Sequence, residues 1–170
     1  MTRLELLPVP LAVAQVVTRG AGLDAALGAV GLTRVGDWPH DDTADALRPL
    51  AEQPDQTGEG TFLVVRQEDR AVVGDCGWFG PPDGDGEVEI GYGLAASVRR
   101  QGLGTEAVGL LLAWVSRQPR VLVTRAEVQV GNEPSRRLLV RLGFVETGLQ
   151  HGHRVLLRGG RHLAGPADTS

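Results

Sequence analysis

The sequence predicts a mixed α/β fold, with a largely antiparallel sheet flanked by helices. Three observations carry that expectation. Between residues 61 and 94, strand-like apolar runs are joined by short polar turns, the pattern of an antiparallel meander. Leu103, Ala107, Leu110, Leu111 and Trp114 then fall on one stripe at helical spacing. A β-branched run at 121–130 and a second helical stripe, Leu138, Leu139 and Leu142, continue the alternation of strand and helix.

Taken in order, residues 3–7 alternate as a short strand, and Pro8 and Pro10 mark the entry to an apolar helical stretch through Val17. A second helical piece spans 23–30 and stops at Gly31. Residues 36–42, Gly-Asp-Trp-Pro-His-Asp-Asp, read as a loop, and Asp42 or Thr43 caps a helix over 44–52. Residues 54–60 read as another loop. Strands are expected at 62–65, 71–79 and 87–94. The last, Glu-Val-Glu-Ile-Gly-Tyr-Gly-Leu, alternates between a buried face and a wetter one. A helix from about Leu103 ends at Pro119. The segment Gly131-Asn132-Glu133-Pro134 opens the next, where Pro134 is tolerated in the first turn, and Gly143 closes it. Residues 144–149 and 154–157 form a hairpin around His151-Gly152-His153. The polar stretch 159–170 reads as a frayed tail. Residues 1–158 are expected to form a single domain, with 1–60 as a strand and helices on the acceptor side and 61–158 as its core.

Composition narrows the function. A chain of 170 residues, 42% apolar and 22% charged, supports one hydrophobic core. The net charge of −4 gives no electrostatic reason to bind nucleic acid. No apolar run reaches the roughly 20 residues that span a bilayer, and the acidic Glu5 with Pro8 and Pro10 does not suit a signal peptide. The expected location is cytoplasmic. The single cysteine, Cys76, sits in an apolar run and reads as a buried core residue rather than a reactive thiol. Every basic side chain among the 17 is Arg, which with the abundant Ala, Gly and Pro suggests a GC-rich bacterial source.

The most informative segment runs from Leu94 through Ala95, Ala96, Arg99, Arg100, Gln101, Gly102, Leu103 and Gly104 to Thr105. A strand ends, a tight turn follows and a helix begins. The first N–H groups of a helix lack internal partners, and with the helix dipole they form a pocket for phosphate oxygens. Gly102 and Gly104 allow close backbone approach, and Arg99 and Arg100 add positive charge. The motif Arg99-x-x-Gly102-x-Gly104 resembles the pyrophosphate-binding signature of the GNAT superfamily of N-acetyltransferases. Glu89-Ile90-Gly91-Tyr92 before it, and Asn132-x-x-Ser135 with Leu142-Gly143-Phe144 after it, are similar to the RimJ/RimL-like subgroup. The resemblance covers about residues 61–157.

That resemblance implies a GNAT-like fold, acetyl-CoA as cosubstrate and a primary amine as acceptor, on a small molecule or a protein N-terminus. It implies no metal and no membrane partner, and homodimers are common in the family. Cofactor contacts fall on residues 94–96, on 99–105, on Asn132 and on Ser135. Leu94 matches the residue whose backbone N–H faces the thioester. A carboxylate suits the removal of the amine's proton; Glu89 is the first candidate and Glu87 the second, two apart and so on one strand face. The tyrosine that protonates the leaving thiolate in many GNAT enzymes corresponds to Leu139, which leaves Ser135 as a substitute catalytic acid.

Plainer readings stand beside these. Glu87 and Glu89 also suit a solvated sheet edge, Asn132 and Ser135 the capped first turn of a helix, and Arg136 and Arg137 surface charge. His151 and His153 read as a hairpin turn rather than metal ligands. Trp38, His40, Asp41 and Asp42 lie where acceptor specificity is often built. Gly102-x-Gly104-x-x-Ala107 also fits a dinucleotide fingerprint, with Glu127 as the ribose-binding acid. Against it, the strand leading into the turn is half polar, and a meander precedes it instead of a second βαβ unit. A non-catalytic acyl-CoA-binding module is the other alternative, since the usual acid is missing.

Overall fold

A computed structural model describes residues 2–57 and 59–159. Among them the elements follow as β1 (Leu4–Pro8), α1 (Leu11–Arg19), α2 (Leu23–Gly28), β2 (Thr33–Arg34), α3 (Thr43–Glu52), α4 (Pro54–Thr57), β3 (Thr61–Arg66), β4 (Ala71–Trp78) and β5 (Glu87–Leu94). A 3-10 turn (Ala96–Val98) leads to α5 (Leu103–Val115), β6 (Val123–Gln129), α6 (Glu133–Arg141), β7 (Val145–Gln150) and β8 (His153–Gly159). The fold is mixed α/β with mostly antiparallel strand pairs. No helix among the described residues is long and apolar enough to cross a membrane. The described residues fall into two compact units. One comprises the residues up to Gly77 with Tyr92–Leu111; the other comprises Trp78–Gly91 and the residues from Leu112 onward.

In the first unit, β1 pairs antiparallel with β3, β3 antiparallel with β4, and the short β2 parallel with β4. Val64 and Val65 of β3 face Gly74 and Val72, so β4 carries one extra residue, Val73, whose carbonyl accepts the Ala95 N–H at 2.9 Å. A Cβ on Gly74 would overlap the Gly93 carbonyl oxygen and lie 2.5 Å from Leu94 Cδ2. Only glycine permits so close an approach of β4 to the end of β5. Helix α1 packs on α2 and α3. It buries Val13 and Ala14 and ends at Gly20, whose left-handed φ of 83° returns its N–H to the Val16 carbonyl. Helix α3 buries Thr43, Leu47 and Leu50, one stripe at helical spacing.

In the second unit, the first half of β5 pairs parallel with β6, β6 antiparallel with β8, and β8 antiparallel with β7. Val88 and Ile90 are buried while Glu87 and Glu89 stay partly exposed, as the alternation predicts. Trp78 and Trp114 stack edge to face with ring centroids 4.8 Å apart. His151 and Gly152, both at positive φ, make the two-residue turn between β7 and β8.

The structure corrects several boundaries. Residues 54–57 form the short helix α4 where a loop is expected, and β2 is an additional strand too short to leave a periodic pattern. Strand β1 extends through Pro8, which is tolerated because β1 ends the strand order and pairs on one side only. The polar tail lies outside the described residues, apart from Gly159, which ends β8.

Candidate active site

The turn between β5 and α5 combines three devices. Arg100 and Gly102 both take left-handed backbone conformations, with φ of 63° and 77°. Helix α5 starts at once at Leu103, so the N–H groups of its first turn face out of the turn without intrahelical partners. Arg99 and Arg100 are exposed around it, while Leu103 is buried and anchors the helix. Arg99 is not wholly free: its Nε donates to the Leu94 carbonyl at 3.1 Å, bracing the strand end. Sequence reasoning missed a third arginine here. Arg3 donates from Nη1 to the Gln101 carbonyl at 3.0 Å and from Nε to Glu106 at 3.1 Å. The Glu106 carboxylate also accepts the Arg3 and Leu4 N–H groups at 2.5 and 2.9 Å, tying β1 to the first turn of α5. Residues about a hundred positions apart carry no sequence signal of such a contact.

The end of β5 is unusual. Its pairing with β6 stops at Ile90 opposite Ala126, whereas β5 runs on to Leu94. Strand backbones alternate the direction of their polar groups. The Glu89 carbonyl accepts from Phe79, which follows β4, and the Ala95 N–H donates to Val73 of β4. The Ala95 N–H therefore faces β4, and the Leu94 N–H, one residue earlier, points away from it. Leu94 and Ala95 are buried and Ala96 is exposed.

Glu87 and Glu89 share one face of β5, together with Arg125 and Glu127 of β6. Arg125 is drawn to Glu127 at 2.6 Å and to Gln150 at 2.8 Å, and lies 3.7 Å from Glu87. Burial pushes the Glu89 carboxyl above its usual range; Glu127 and Glu87 push the same way, and Arg125 opposes them. Arg125 lies within ion-pair distance of Glu87, while burial and neighbouring like charges favour the protonated form of Glu89.

In α6, Asn132 is the N-cap, its Oδ1 accepting the Ser135 N–H at 3.3 Å, and Ser135 is half-buried in the first turn. Leu139 is fully buried, so this position turns into the core. Arg136 is held by Glu133 and Glu146 at 3.4 and 3.0 Å, and Arg137 is exposed. His151 and His153 belong to the hairpin turn, with His153 Nδ1 at 3.2 Å from the His151 carbonyl. Glu127 is engaged by Arg125, and the parallel β5–α5–β6 crossover follows an antiparallel β3–β4 pair, not a second βαβ unit.

The loop before α3 divides in two. Asp41 and Asp42 are exposed, whereas Trp38 is buried and His40 half-buried. Trp38 Nε1 and Thr43 Oγ1 each donate to Asp75 Oδ2 at 2.8 Å, and His40 Nε2 lies 3.3 Å from the same oxygen. Asp37 accepts from the Ser97 N–H and hydroxyl at 2.8 and 2.5 Å, which docks the loop on the 3-10 turn and holds its carboxyl below the usual range. The signal that was legible is Asp75 itself, a lone carboxylate inside the apolar run of β4. A cleft of about 310 Å³ opens beside this loop, with Val16, Leu23, Arg34 and Pro39 in its walls.

Comparison with known proteins gives the family and the fold. Residues 28–145 match the family of the acetyltransferase (GNAT) domain. An uncharacterized N-acetyltransferase of Bacillus subtilis strain 168, YjdG, is 29% identical over 124 residues, covering 71% of this chain and 74% of its own. The ribosomal-protein-S5-alanine acetyltransferase of Vibrio fischeri shares the fold at a TM-score of 0.66 and 15% identity, over 95% of this chain and 96% of its own. Mycobacterium smegmatis RimJ, solved in complex with CoA-disulfide, superposes at a TM-score of 0.61 and 21% identity, over 95% of this chain and 84% of its own.

Proposed function

The chain belongs to the GNAT acetyltransferase family, and from that premise we propose that it transfers an acetyl group from acetyl-CoA to a primary amine on a small molecule or a protein N-terminus. The observation that carries the reading is the turn from Arg99 to Thr105, with left-handed Arg100 and Gly102 opening directly into α5. Outward N–H groups, exposed arginines and a glycine that leaves room for close approach suit a pyrophosphate. The β5–β6 pairing ends at Ile90 while β5 runs on to Leu94, which suits an extended thioester arm laid along the end of β5.

Acetyl-CoA supplies an acetyl group already activated as a thioester. Residues 99–105 would hold its phosphates, and Ala95, Ala96 and Asn132 are the further contacts proposed for it. The Leu94 N–H donates to the carbonyl oxygen, which gains negative charge during transfer. Glu89, whose affinity for a proton is raised by burial and by Glu127 and Glu87, takes the proton of the acceptor ammonium, directly or through water, and the neutral amine then attacks the thioester carbon. Glu87 stands behind it, its charge shared with Arg125. With Leu139 buried, Ser135 is the candidate donor to the departing thiolate.

The test is a thermal-shift titration with acetyl-CoA, CoA and NAD on the wild type and on Gly102→Trp. A ligand that binds only the folded state adds about 2.7 kcal/mol at a hundredfold excess over its Kd. The expected result is stabilisation by both CoA species, lost in the variant, followed by thiol release in a screen of amines. A shift with NAD alone refutes the reading in favour of a dinucleotide site. CoA binding with no turnover of any amine supports a non-catalytic acyl-CoA-binding module, which the buried Leu139 favours.

A further inference from the structure

Among the described residues, Phe79 is the one exposed phenylalanine, tyrosine or tryptophan, at 64%. A single exposed apolar side chain needs no explanation by itself. Its placement does. The Phe79 N–H donates to the Glu89 carbonyl at 2.8 Å, which seats this residue, just past the end of β4, beside the candidate base. From there the ring reaches diagonally along β5. A Cβ on Gly91 would lie 2.8 Å from the Phe79 Cζ and 3.0 Å from its Cε2. The tip of the ring therefore occupies the space into which a side chain at 91 would project.

That space lies on the carboxylate face of β5. Positions 87, 89 and 91 alternate with buried Val88 and Ile90, so a side chain at 91 would point the way Glu87 and Glu89 do. The ring tip and the Glu89 carboxylate thus share one face, at strand positions about 7 Å apart. Gly91 is not among the glycines at positive φ, so its backbone conformation does not call for glycine. The ring does, because any side chain at 91 would push its tip aside. The result is an aromatic ring packed at its tip, open over most of its surface, and next to a half-buried carboxylate.

A hydrocarbon is what such a surface can take. The acceptor brings its nitrogen to Glu89, and its carbon skeleton then lies within a few ångströms of that nitrogen, where the ring is. An apolar chain against the ring removes both surfaces from water. A hydroxylated or charged skeleton would shed hydration there with no hydrogen-bond partner in return.

We propose that Phe79 is a specificity-determining residue for acetyl transfer: with the acceptor nitrogen at Glu89, the carbon skeleton lies against the Phe79 ring, and the substrate class is an alkylamine or aralkylamine. This rests on the acetyl-CoA reading and on Glu89 as its base. It chooses among the acceptors that reading leaves open, favouring a small amine on an apolar chain over a protein N-terminus, whose α-carbon carries a peptide carbonyl.

The experiment uses a matched set of amines: propylamine, butylamine, pentylamine, hexylamine, phenethylamine, and 2-(2-aminoethoxy)ethanol as the polar counterpart of hexylamine. Acetylation is followed by thiol release in wild type, Phe79→Ala, Phe79→Leu and Gly91→Ala. Hexylamine binding to the CoA-bound protein is measured by calorimetry, and folding by circular dichroism. In the wild type, kcat/KM rises about two- to threefold per methylene from propylamine to hexylamine, because the ring covers one side of the chain. Hexylamine exceeds its polar counterpart by about tenfold or more. In Phe79→Ala the rise flattens: kcat/KM for hexylamine and phenethylamine falls about tenfold through KM, calorimetric affinity falls in step, and propylamine changes less than about twofold. Phe79→Leu, which keeps an apolar surface, loses about threefold. Gly91→Ala leaves Phe79 in place but displaces its ring tip, and it lowers hexylamine more than propylamine. Stabilisation by acetyl-CoA is unchanged in all three variants. An equal loss for every amine in Phe79→Ala overturns the inference, since it assigns the ring a structural role, as does an unchanged chain-length profile. A wild type that binds acetyl-CoA but acetylates none of these amines overturns it while leaving the acetyl-CoA reading intact. Failure of the wild type to bind acetyl-CoA removes both.

Discussion

Replacing Glu106 tests how the turn before α5 is held. Its carboxylate is 17% exposed and accepts the backbone N–H groups of Arg3 and Leu4 as well as the Arg3 guanidinium. Leu4 is 1% exposed, so truncation to alanine strands a buried amide, at about 1–3 kcal/mol. The Arg3 side chain is 54% exposed and its ion pair adds less than about 1 kcal/mol. Glu106→Ala should therefore destabilise by about 2–3 kcal/mol near neutrality, lowering Tm by about 5–10 °C for a chain of this size. Glu106→Gln, which keeps one acceptor oxygen, should cost about half as much. The pH dependence gives an independent check. Burial raises the affinity of Glu106 for a proton, but the Leu4 and Arg3 donors outweigh it and hold its carboxyl below the usual 4.5. A carboxyl depressed in the folded state stabilises above its unfolded value, and that contribution is lost as pH falls through the folded one. Urea denaturation of wild type and Glu106→Gln should give curves that separate above pH 4.5 and converge in more acidic solution. A loss below about 0.5 kcal/mol in Glu106→Ala, or a gap that persists unchanged into strong acid, would refute the account of β1 pinned to α5 through this carboxylate.

Two further outcomes follow from the same geometry. Glu89→Gln should lower kcat by about 10²–10⁴ while leaving stabilisation by acetyl-CoA intact; in the wild type, activity should rise with pH through a limb above the ordinary carboxylate range, and Glu127→Gln should move that limb down by removing a like charge. A rate within a few-fold of wild type in Glu89→Gln would give the base role to another group. Leu139→Tyr should not restore a proton donor: the position is fully buried, so the larger side chain overpacks the core by about 1–3 kcal/mol, and a faster, equally stable variant would show that the position opens on the site.

Much of this molecule was legible as local pattern. The alternation of Val88 and Ile90 with Glu87 and Glu89, the stripe of Leu103, Ala107 and Leu111, the cap at Asn132 and the turn at Gly102 each depend on neighbours a few residues away, and each has a periodic or positional signature. What escaped has no such signature. Strand β2 is two residues long. The helix over Pro54–Thr57 is a single turn with no apolar stripe. Trp38 and His40 sit in a polar, turn-rich stretch that composition assigns to the surface, and only the carboxylate of Asp75, more than thirty residues away, draws them inside.

The amino-acid sequence by itself determined the fold class, the glycine-containing turn that opens into α5 and the carboxylates on one face of β5, because helix and strand periodicity and the partnerless N–H groups of a helix start are short-range properties. The tertiary structure alone decided that Arg3 and Glu106 brace that turn, that Arg125 is drawn toward Glu127 and Gln150, that β5 outruns its pairing with β6, and that His40 rests on Gly93. These are long-range contacts between polar groups. Their energy comes from desolvation and geometry at the meeting point, and neither exists until distant segments have packed.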